Sequence, residues 1–375
     1  MLQPAAVLTA ILKNKAFKTR RESIQAVEAK WYSDSYLDRT FVTNAAWQNA
    51  GANKATVSGS TALNVLRAGD ILMNESDPTQ LAEVTAVAAN GADTDITVSD
   101  YGATSFAPAS GAYLKKISNV IADASTPGSA RTQTLSSRSN YPQMFETVTN
   151  LGLSSIVAQT YNGSDQKRER RKAGEEHLLD IEHALLFGVK YFDSSNKKWY
   201  TRGIYSDIKS NGITWDIGSE GTNAGKLTLN RIMELGELVH QYAPGEELMA
   251  FVSPGVLTVV DKLVANTVQL ENVEKFGVFW KRLRTSHGSI LLKEHPLLTN
   301  TDTTKYTLNG MMIVLDPKEL ALLTMKGFDA TYFIPEYEGM ADGYKGAKDL
   351  YFSWLGLKLT NVGKHSLIYG INGYA

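Results

Sequence analysis

Six histidines are the first residues to ask about chemistry, and their spacing disposes of most of it. His177 and His183 flank Leu178-Leu179-Asp180-Ile181-Glu182, with Glu176 just before them, a run that a helix would have to aim at a metal. Their offset places the two imidazoles on different faces of such a helix. Asp180 and His183 do share a face. A single Asp-x-x-His, however, lacks the second such motif and the two further carboxylates of a di-iron bundle. These groups are expected to be solvated polar residues. His240, His287, His295 and His365 are scattered, and neither Gly-x-Ser-x-Gly nor His-Glu-x-x-His occurs.

The remaining chemical signals are weaker. Gly221-Thr222-Asn223-Ala224-Gly225-Lys226 has a superficial likeness to a phosphate-binding loop. It is one residue short between its glycines, and Leu227 stands where Ser or Thr would hold magnesium, so a polar turn before a helix is expected. The chain contains no cysteine, which excludes disulfides, thiolate metal sites and cysteine nucleophiles. No catalytic, cofactor-binding or metal-ligating residue is therefore assigned, and no cofactor. Two basic clusters remain: Lys13, Lys15, Lys18, Arg20 and Arg21, and the run Lys167-Arg168-Glu169-Arg170-Arg171-Lys172. Cations on one helix face neutralise phosphates without reading sequence. Glu169 interrupts the second cluster and no aromatic residue is interleaved there to stack on bases, which argues against a single-strand reader. The simpler reading of both clusters is a solvated surface.

The elements that must carry these residues follow from composition and pattern. At 375 residues, 43% hydrophobic and net charge -1, the chain is an ordinary globular protein of about two compact units. The apolar opening to Leu12 precedes its cations, the reverse of a secretory signal, and no apolar run approaches the roughly 20 residues of a membrane span. No membrane partner is expected. Residues 1–54 read as an irregular arm carrying Trp31, Tyr32, Tyr36, Phe41 and Trp47. From 55 to 117, short runs (Leu63 to Leu66, Asp70 to Met73, Leu81 to Val87, Ile96 to Val98, Tyr113 to Ile117) read as strands. Asn90-Gly91 supplies the positive-φ pair of a tight hairpin. Ala124 to Asn140, rich in Ser and Thr, reads as a connector.

A helix is expected from about 164 to 187, closed by Gly188 as a left-handed residue. Its first half is charged all round, and Leu178, Ile181 and Leu185 form its apolar stripe, so only its second half can be well buried. After Tyr200 the pattern alternates: a helix from Leu229 to Tyr242, a strand from Leu248 to Val252, then Ser253-Pro254 opening a helix. Strands at Ile290 to Leu292, Met311 to Leu315, Tyr351 to Leu359 and Leu367 to Ile371 follow, with a capping-box pattern at Asp316-Pro317-Lys318-Glu319.

In that order, Phe145-Glu146-Thr147-Val148-Thr149, Ser155-Ile156-Val157-Ala158, the charged helix ending Ile181-Glu182-His183-Ala184-Leu185-Leu186-Phe187-Gly188, then Phe276-Gly277-Val278-Phe279, Ile290 to Lys293, His295-Pro296-Leu297-Leu298 and Met312 to Leu320 carry a resemblance. The chain resembles the tailed-bacteriophage major capsid proteins of the Hong Kong 97 type over most of its length. The resemblance implies an α+β fold with an N-terminal arm (1–54), an extended loop or small inserted β-domain (55–117), a peripheral domain holding the spine helix (118–226), an axial α/β domain (227–344) and C-terminal strands returning to the peripheral domain (345–375). It implies a non-enzymatic shell subunit, made in the host cytoplasm and resident in the virion, that forms pentamers and hexamers around double-stranded DNA. Portal protein, and scaffold or decoration proteins, are implied partners. The family's front scaffold segment has no counterpart here, so it is either removed, supplied separately or not needed. On this reading Lys13, Lys15, Lys18, Arg20, Arg21, Arg168, Arg170 and Arg171 face the packaged DNA. Asn74, Glu75, Asp77, Asn90 and Gly91 belong to the loop that reaches a neighbouring subunit. The alternatives are a nonspecific DNA-binding protein using 167–172, or an unrecognised α/β enzyme.

Overall fold

The computed structural model describes residues 8, 12, 20–33, 39–44, 53–101, 105–123, 136–157, 165–219, 221, 224–242, 245–264, 271–275, 278–299, 308–328, 331–338 and 346–374. The chain is mixed α+β and divides into two compact units, Met1–Ser33 with Ser137–Ala375, and Asp34–Ser136.

The second unit is a closed β-barrel. Its strands run in the order Thr40–Val42, Tyr113–Asn119, Asp70–Asn74, Asp77–Asn90, Asp93–Asp100, Lys54–Val57. Every pairing is antiparallel. The ends meet through a Thr43–Val57 bridge, with Ser58 N–H donating to Val42 O at 2.9 Å and Asn44 N–H to Thr56 O at 2.8 Å. Closure removes the exposed edges that an open sheet would carry. Alternating inward strand residues, among them Leu72, Val84, Ile96, Val98 and Leu114, fill the interior together with Phe106 from the connection before Tyr113–Asn119. One buried ion pair interrupts this core, Lys116 Nζ to Asp70 Oδ2 at 2.8 Å.

Two expectations change in this unit. Leu63 to Leu66 is not a strand: Thr61–Val65 is a short helix that buries Ala62 and Val65. A short apolar run does not separate strand from helix by periodicity, and the i, i+3 burial is the helical solution. The hairpin turn is shifted by one residue, since Asn90 pairs with Asp93 and Gly91-Ala92 are its central residues. Gly91 alone has positive φ, +61°, so the turn has glycine at the first central position instead of a left-handed pair.

The first unit has two principal sheets. In one the order is Arg20–Ile24, Leu320–Met325, Gly346–Leu359, Gln143–Gly152, with Tyr332–Glu338 also paired to Gly346–Leu359. The other has seven strands in the order Ile213–Asp216, Ser366–Tyr369, Met312–Leu315, Glu247–Val252, Ser289–Glu294, Val278–Arg284, Glu271–Lys275. Its central strands are buried on both faces, which explains uninterrupted apolar runs such as Leu248-Met249-Ala250-Phe251-Val252. Leu248, Ala250 and Val252 meet the helices Leu229–His240 and Pro254–Val264 on one face. Met249 and Phe251 join the other core, with Ile181, Leu185 and Leu186 of the long helix. Leu8 and Leu12 are also fully buried in that second core, so part of the expected arm packs inside its own unit.

The long helix runs Asp165–Phe187. Gly188 follows it without a left-handed φ. Glycine is needed there for space, because a Cβ would collide with the carbonyls of Ala184 and Thr201. Of the expected connector 124–140, the final residues Ser136–Asn140 form a strand paired with Ala29–Ser33, and 124–135 lie outside the described residues. Ser253 Oγ accepts from Val256 N–H and caps its helix as expected. Asp316 caps only the short turn Pro317–Glu319, and the Glu319 side chain binds Thr360 and Asn361 instead of closing a capping box.

Candidate functional site

The long helix lies on the sheet formed by Gln143–Gly152 and Gly346–Leu359, and its sequence makes two different surfaces. The inward stripe is Arg170, Ala173, His177, Ile181, Leu185 at helical spacing, with Glu182 and Leu186 beside its second half. Three polar residues in that inward set each find a partner far away in sequence.

Arg170 makes a bidentate contact. Its Nε and Nη2 donate to Asp349 Oδ2 and Oδ1 at 2.7 and 2.8 Å, and the Asp349 side chain is 0% exposed. Planar two-point pairing is the strongest way to hold a carboxylate away from water. Tyr351 OH donates to Arg170 O at 2.9 Å. Burial and the Asp349 charge both push the Tyr351 hydroxyl above its usual pKa.

One helical step deeper, His177 is fully buried between Thr147 Oγ1 at 3.0 Å from Nδ1 and Ser353 Oγ at 2.9 Å from Nε2. Solvation was expected for this histidine and is corrected: its ring fills the space between helix and sheet, and both nitrogens are hydrogen-bonded. His183 and Asp180 are exposed, as their face of the helix requires.

Glu182 is likewise 0% exposed. Its Oε1 accepts from His295 Nε2 at 2.8 Å and from the Leu8 backbone N–H at 2.6 Å. One carboxylate therefore ties the helix, the seven-stranded sheet and the N-terminal segment together. Glu182 was also expected on the solvated side. Its position between Ile181 and Leu185, four residues after Leu178, was the available signal, whereas nothing local identifies His295 as its partner.

The outward face carries Lys167, Arg168, Arg171 and Lys172, all exposed. Arg168 lies 3.4 Å from Asp165 and 3.3 Å from Glu169, and Arg171 lies 3.4 Å from Glu175. Exposed pairs of this kind leave the cations largely available. Of the expected phosphate-facing set, Arg168 and Arg171 are thus on the open face. Arg170 differs, because its guanidinium is turned to Asp349. Arg21 is exposed on the strand Arg20–Ile24, and Arg20 shares that strand. Lys13, Lys15 and Lys18 lie outside the described residues.

The expected intersubunit loop residues do not form one tip. Asn74, Glu75 and Asp77 make the turn at one end of the strand Asp77–Asn90, and Asn90 and Gly91 make the turn at its other end. At about 3.3 Å per residue the two turns stand roughly 40 Å apart along the strand. Asn74 is buried and holds Gln80, and Asn90 donates to Asp95 Oδ1 at 3.1 Å. Glu75 is exposed, 3.8 Å from Lys115. Thr79 donates to Asp77 and holds its carboxyl below the usual range.

A second charged group surrounds the end of the strand Met312–Leu315. Burial raises Asp316. Burial also opposes ionisation of Glu319, but hydrogen bonds from Thr360, Asn361 and Lys364 outweigh it and hold that carboxyl low. His365, beside them, is fully buried and pushed down to about 4. Among the described residues no group of three or more His, Cys, Asp or Glu could hold a metal ion, and no helix is long and apolar enough to cross a membrane.

Among solved structures, the chain is similar to the SrpI encapsulin of Synechococcus elongatus, with 12% identity, 64% of this chain and 80% of that one covered, and a TM-score of 0.46. The capsid of a native GTA particle gives 8% identity, 100% and 92% coverage and a TM-score of 0.46. Mycobacterium phage Cain gives 10% identity, 97% and 88% coverage and 0.43. No curated protein matches the chain. Residues 6–372 match the SU10 major capsid protein family, and with nearly every element described above inside that span, the chain belongs to this family of major capsid proteins, whose members build the virion shell.

Proposed function

We propose that the chain forms pentamers and hexamers that tile an icosahedral head around double-stranded DNA, with the subunit organisation of the Hong Kong 97 type. Membership of the major capsid family over residues 6–372 carries this reading. In it, residues 1–54 act as arm, 55–117 as the inserted β element, 118–226 with 345–375 as peripheral domain and 227–344 as axial domain. The exposed cations Arg168 and Arg171, with Lys13, Lys15, Lys18, Arg20 and Arg21, face the packaged DNA and offset phosphate repulsion without base contacts. Arg170 serves the fold through Asp349 and supports that surface from beneath. The subunit's role is structural and non-enzymatic, and its partners are further copies of itself, the portal, and scaffold or decoration proteins.

Light scattering with negative-stain microscopy on the purified chain, alone and with any scaffold encoded beside it, tests the reading. Shells, or rings of five or six, are expected. A monomer under every condition would return the chain to the DNA-binding alternative, which a salt-dependent titration of the monomer would then examine.

A further inference from the structure

Two carboxyl groups from distant parts of the chain meet at the end of the strand Met312–Leu315. Asp316 is 1% exposed and opens the turn Pro317–Glu319, and Glu246 stands just ahead of the strand Glu247–Val252. One oxygen of each is accounted for. Asp316 Oδ1 accepts from the Lys318 N–H at 2.9 Å, and Glu246 Oε1 accepts from Lys318 Nζ at 2.7 Å. The other two, Asp316 Oδ2 and Glu246 Oε2, are buried without a donor among the described residues, and the two side chains lie in hydrogen-bonding contact with each other. An ionised carboxylate only accepts. Two ionised carboxylates in contact therefore leave both oxygens unsatisfied and repel, and a single proton between them removes both defects.

The charged groups around the pair do not supply that donor. Lys364 Nζ is 3.6 Å from Asp316 Oδ2, too long for a hydrogen bond, and stands closer to Glu319 Oε1 at 3.2 Å. The Glu319 carboxylate is taken up by Thr360, Asn361 and Lys364. His365 accepts from the Asp316 N–H through Nδ1 at 3.2 Å. His240 meets Glu246 at its backbone carbonyl, 3.2 Å from Nε2. Arg138, whose charge reaches His365, is paired with Asp207. With Lys318 and Lys364 beside the carboxyls, a metal ion in the same place would be repelled.

The geometry points to one proton held between Asp316 Oδ2 and Glu246 Oε2, a clasp that fastens the chain ahead of Glu247–Val252 to the turn Pro317–Glu319. Asp316 is the acid and Glu246 the acceptor. Burial and then the Glu246 charge raise the Asp316 carboxyl, whereas Lys318 lowers that of Glu246. Losing the proton leaves two like charges in contact and drives Glu246 away from the turn. Gly245 donates its N–H to His287 O at 3.0 Å, so this movement is passed to the hairpin joining Val278–Arg284 and Ser289–Glu294. The clasp opens as the pH rises, within a single subunit and independently of assembly.

Asp316→Asn tests it, because the amide keeps a carbonyl for the Lys318 N–H and offers a permanent N–H to Glu246. Folded Asp316 holds its proton above 3.8, the ordinary value that the unfolded chain retains. The stabilisation it brings is complete below 3.8 and is lost as the pH rises through the folded value. Urea denaturation between pH 4 and 8 should show the folding constant of the wild type falling relative to the variant, by about tenfold per pH unit until Asp316 ionises and level thereafter. His365 titrates in the opposite sense in both proteins, so the comparison removes it. Infrared difference spectra at pH ~5, where an ordinary aspartate is ionised, should show a protonated-carboxyl band in the wild type that the variant lacks. If Asp316→Asn fails to fold, Glu246→Gln, whose amide donates to an ionised Asp316, is read the same way and should lack the band. A ratio of folding constants that does not change with pH, or a wild type without the band, overturns the clasp. So does calcium or magnesium that raises the wild-type midpoint at pH 8 and leaves the variant's unchanged, since a cation would then fill the place given to the proton.

Discussion

The barrel of Asp34–Ser136 and the sheets of the remaining chain solve the same problem in opposite ways. The barrel closes on itself through Thr43 and Val57, satisfies its strand edges internally and keeps its own apolar interior. In the other unit no strand pairs with the outer side of Gln143–Gly152 among the described residues, and its layers are bound by polar groups that reach across the sequence, Arg170 to Asp349, His177 to Ser353 and Glu182 to His295. A closed barrel needs no neighbour to be complete. The buried polar pairs of the other unit fix its long helix on its sheets in one arrangement.

The sharpest way to break this comparison is to isolate the barrel. A fragment of residues 34–136 is expected to fold alone with a cooperative thermal transition. A fragment that melts without cooperativity would show that its closure depends on the rest of the chain. Within the intact protein, Glu182→Ala leaves His295 and the Leu8 amide buried without their carboxylate. Breaking a buried pair by removing one partner costs about 3–5 kcal/mol. Chemical denaturation should show that loss in the larger unit alone, and a barrel transition that falls equally would sink the division into two independent cores. The reciprocal change, Leu72→Ala, empties the barrel interior and should cost about 2–5 kcal/mol in the barrel transition only.

Acid should separate the two units again. Burial holds His365 at about 4, below its unfolded value of 6.5. The folded imidazole therefore stays neutral while the unfolded chain takes up a proton. Its contribution is complete above pH ~6.5, is lost as the pH falls, and levels off once the folded ring also protonates near 4, a change of roughly 3 kcal/mol. Urea midpoints at pH 7 and 4.5 should diverge for the larger unit, and equal midpoints would refute this. Smallest of all is Gly91→Ala, which places a side chain at φ +61° with no contact within 4 Å. A loss of about 1–2 kcal/mol confined to the barrel is expected, from backbone strain alone.

Local signals in the sequence were the ones that could be read. The charge-to-apolar change along Asp165–Phe187, the Ser253-Pro254 helix start and the alternation around Ala82 and Val84 each depend on residues a few positions apart, and each element is found there. The long-range pairings were not legible. Barrel closure rests on one bridge between Thr43 and Val57, and neither residue announces the other. His177 and Glu182 were misjudged because polarity alone suggests solvent, whereas their helix positions lie beside Ile181 and Leu185 and demand burial. Gly188 was recognised as a stop for the wrong reason, since the close approach of Thr201 is invisible without the fold.

The tie between the first residues and the last strands also governs when the subunit is finished. Arg20–Ile24 pairs in parallel with Leu320–Met325, and Glu22 meets Lys358 across a separation of 336 positions. Contacts so distant form late, because loop closure must be met before they reward it. On the ribosome the barrel can be complete while the segment that buries Leu8 still waits for its partners. Gly346–Leu359, the strand that pairs with both Gln143–Gly152 and Leu320–Met325, is among the last parts of the chain to be made, so that sheet is completed only near the end of synthesis.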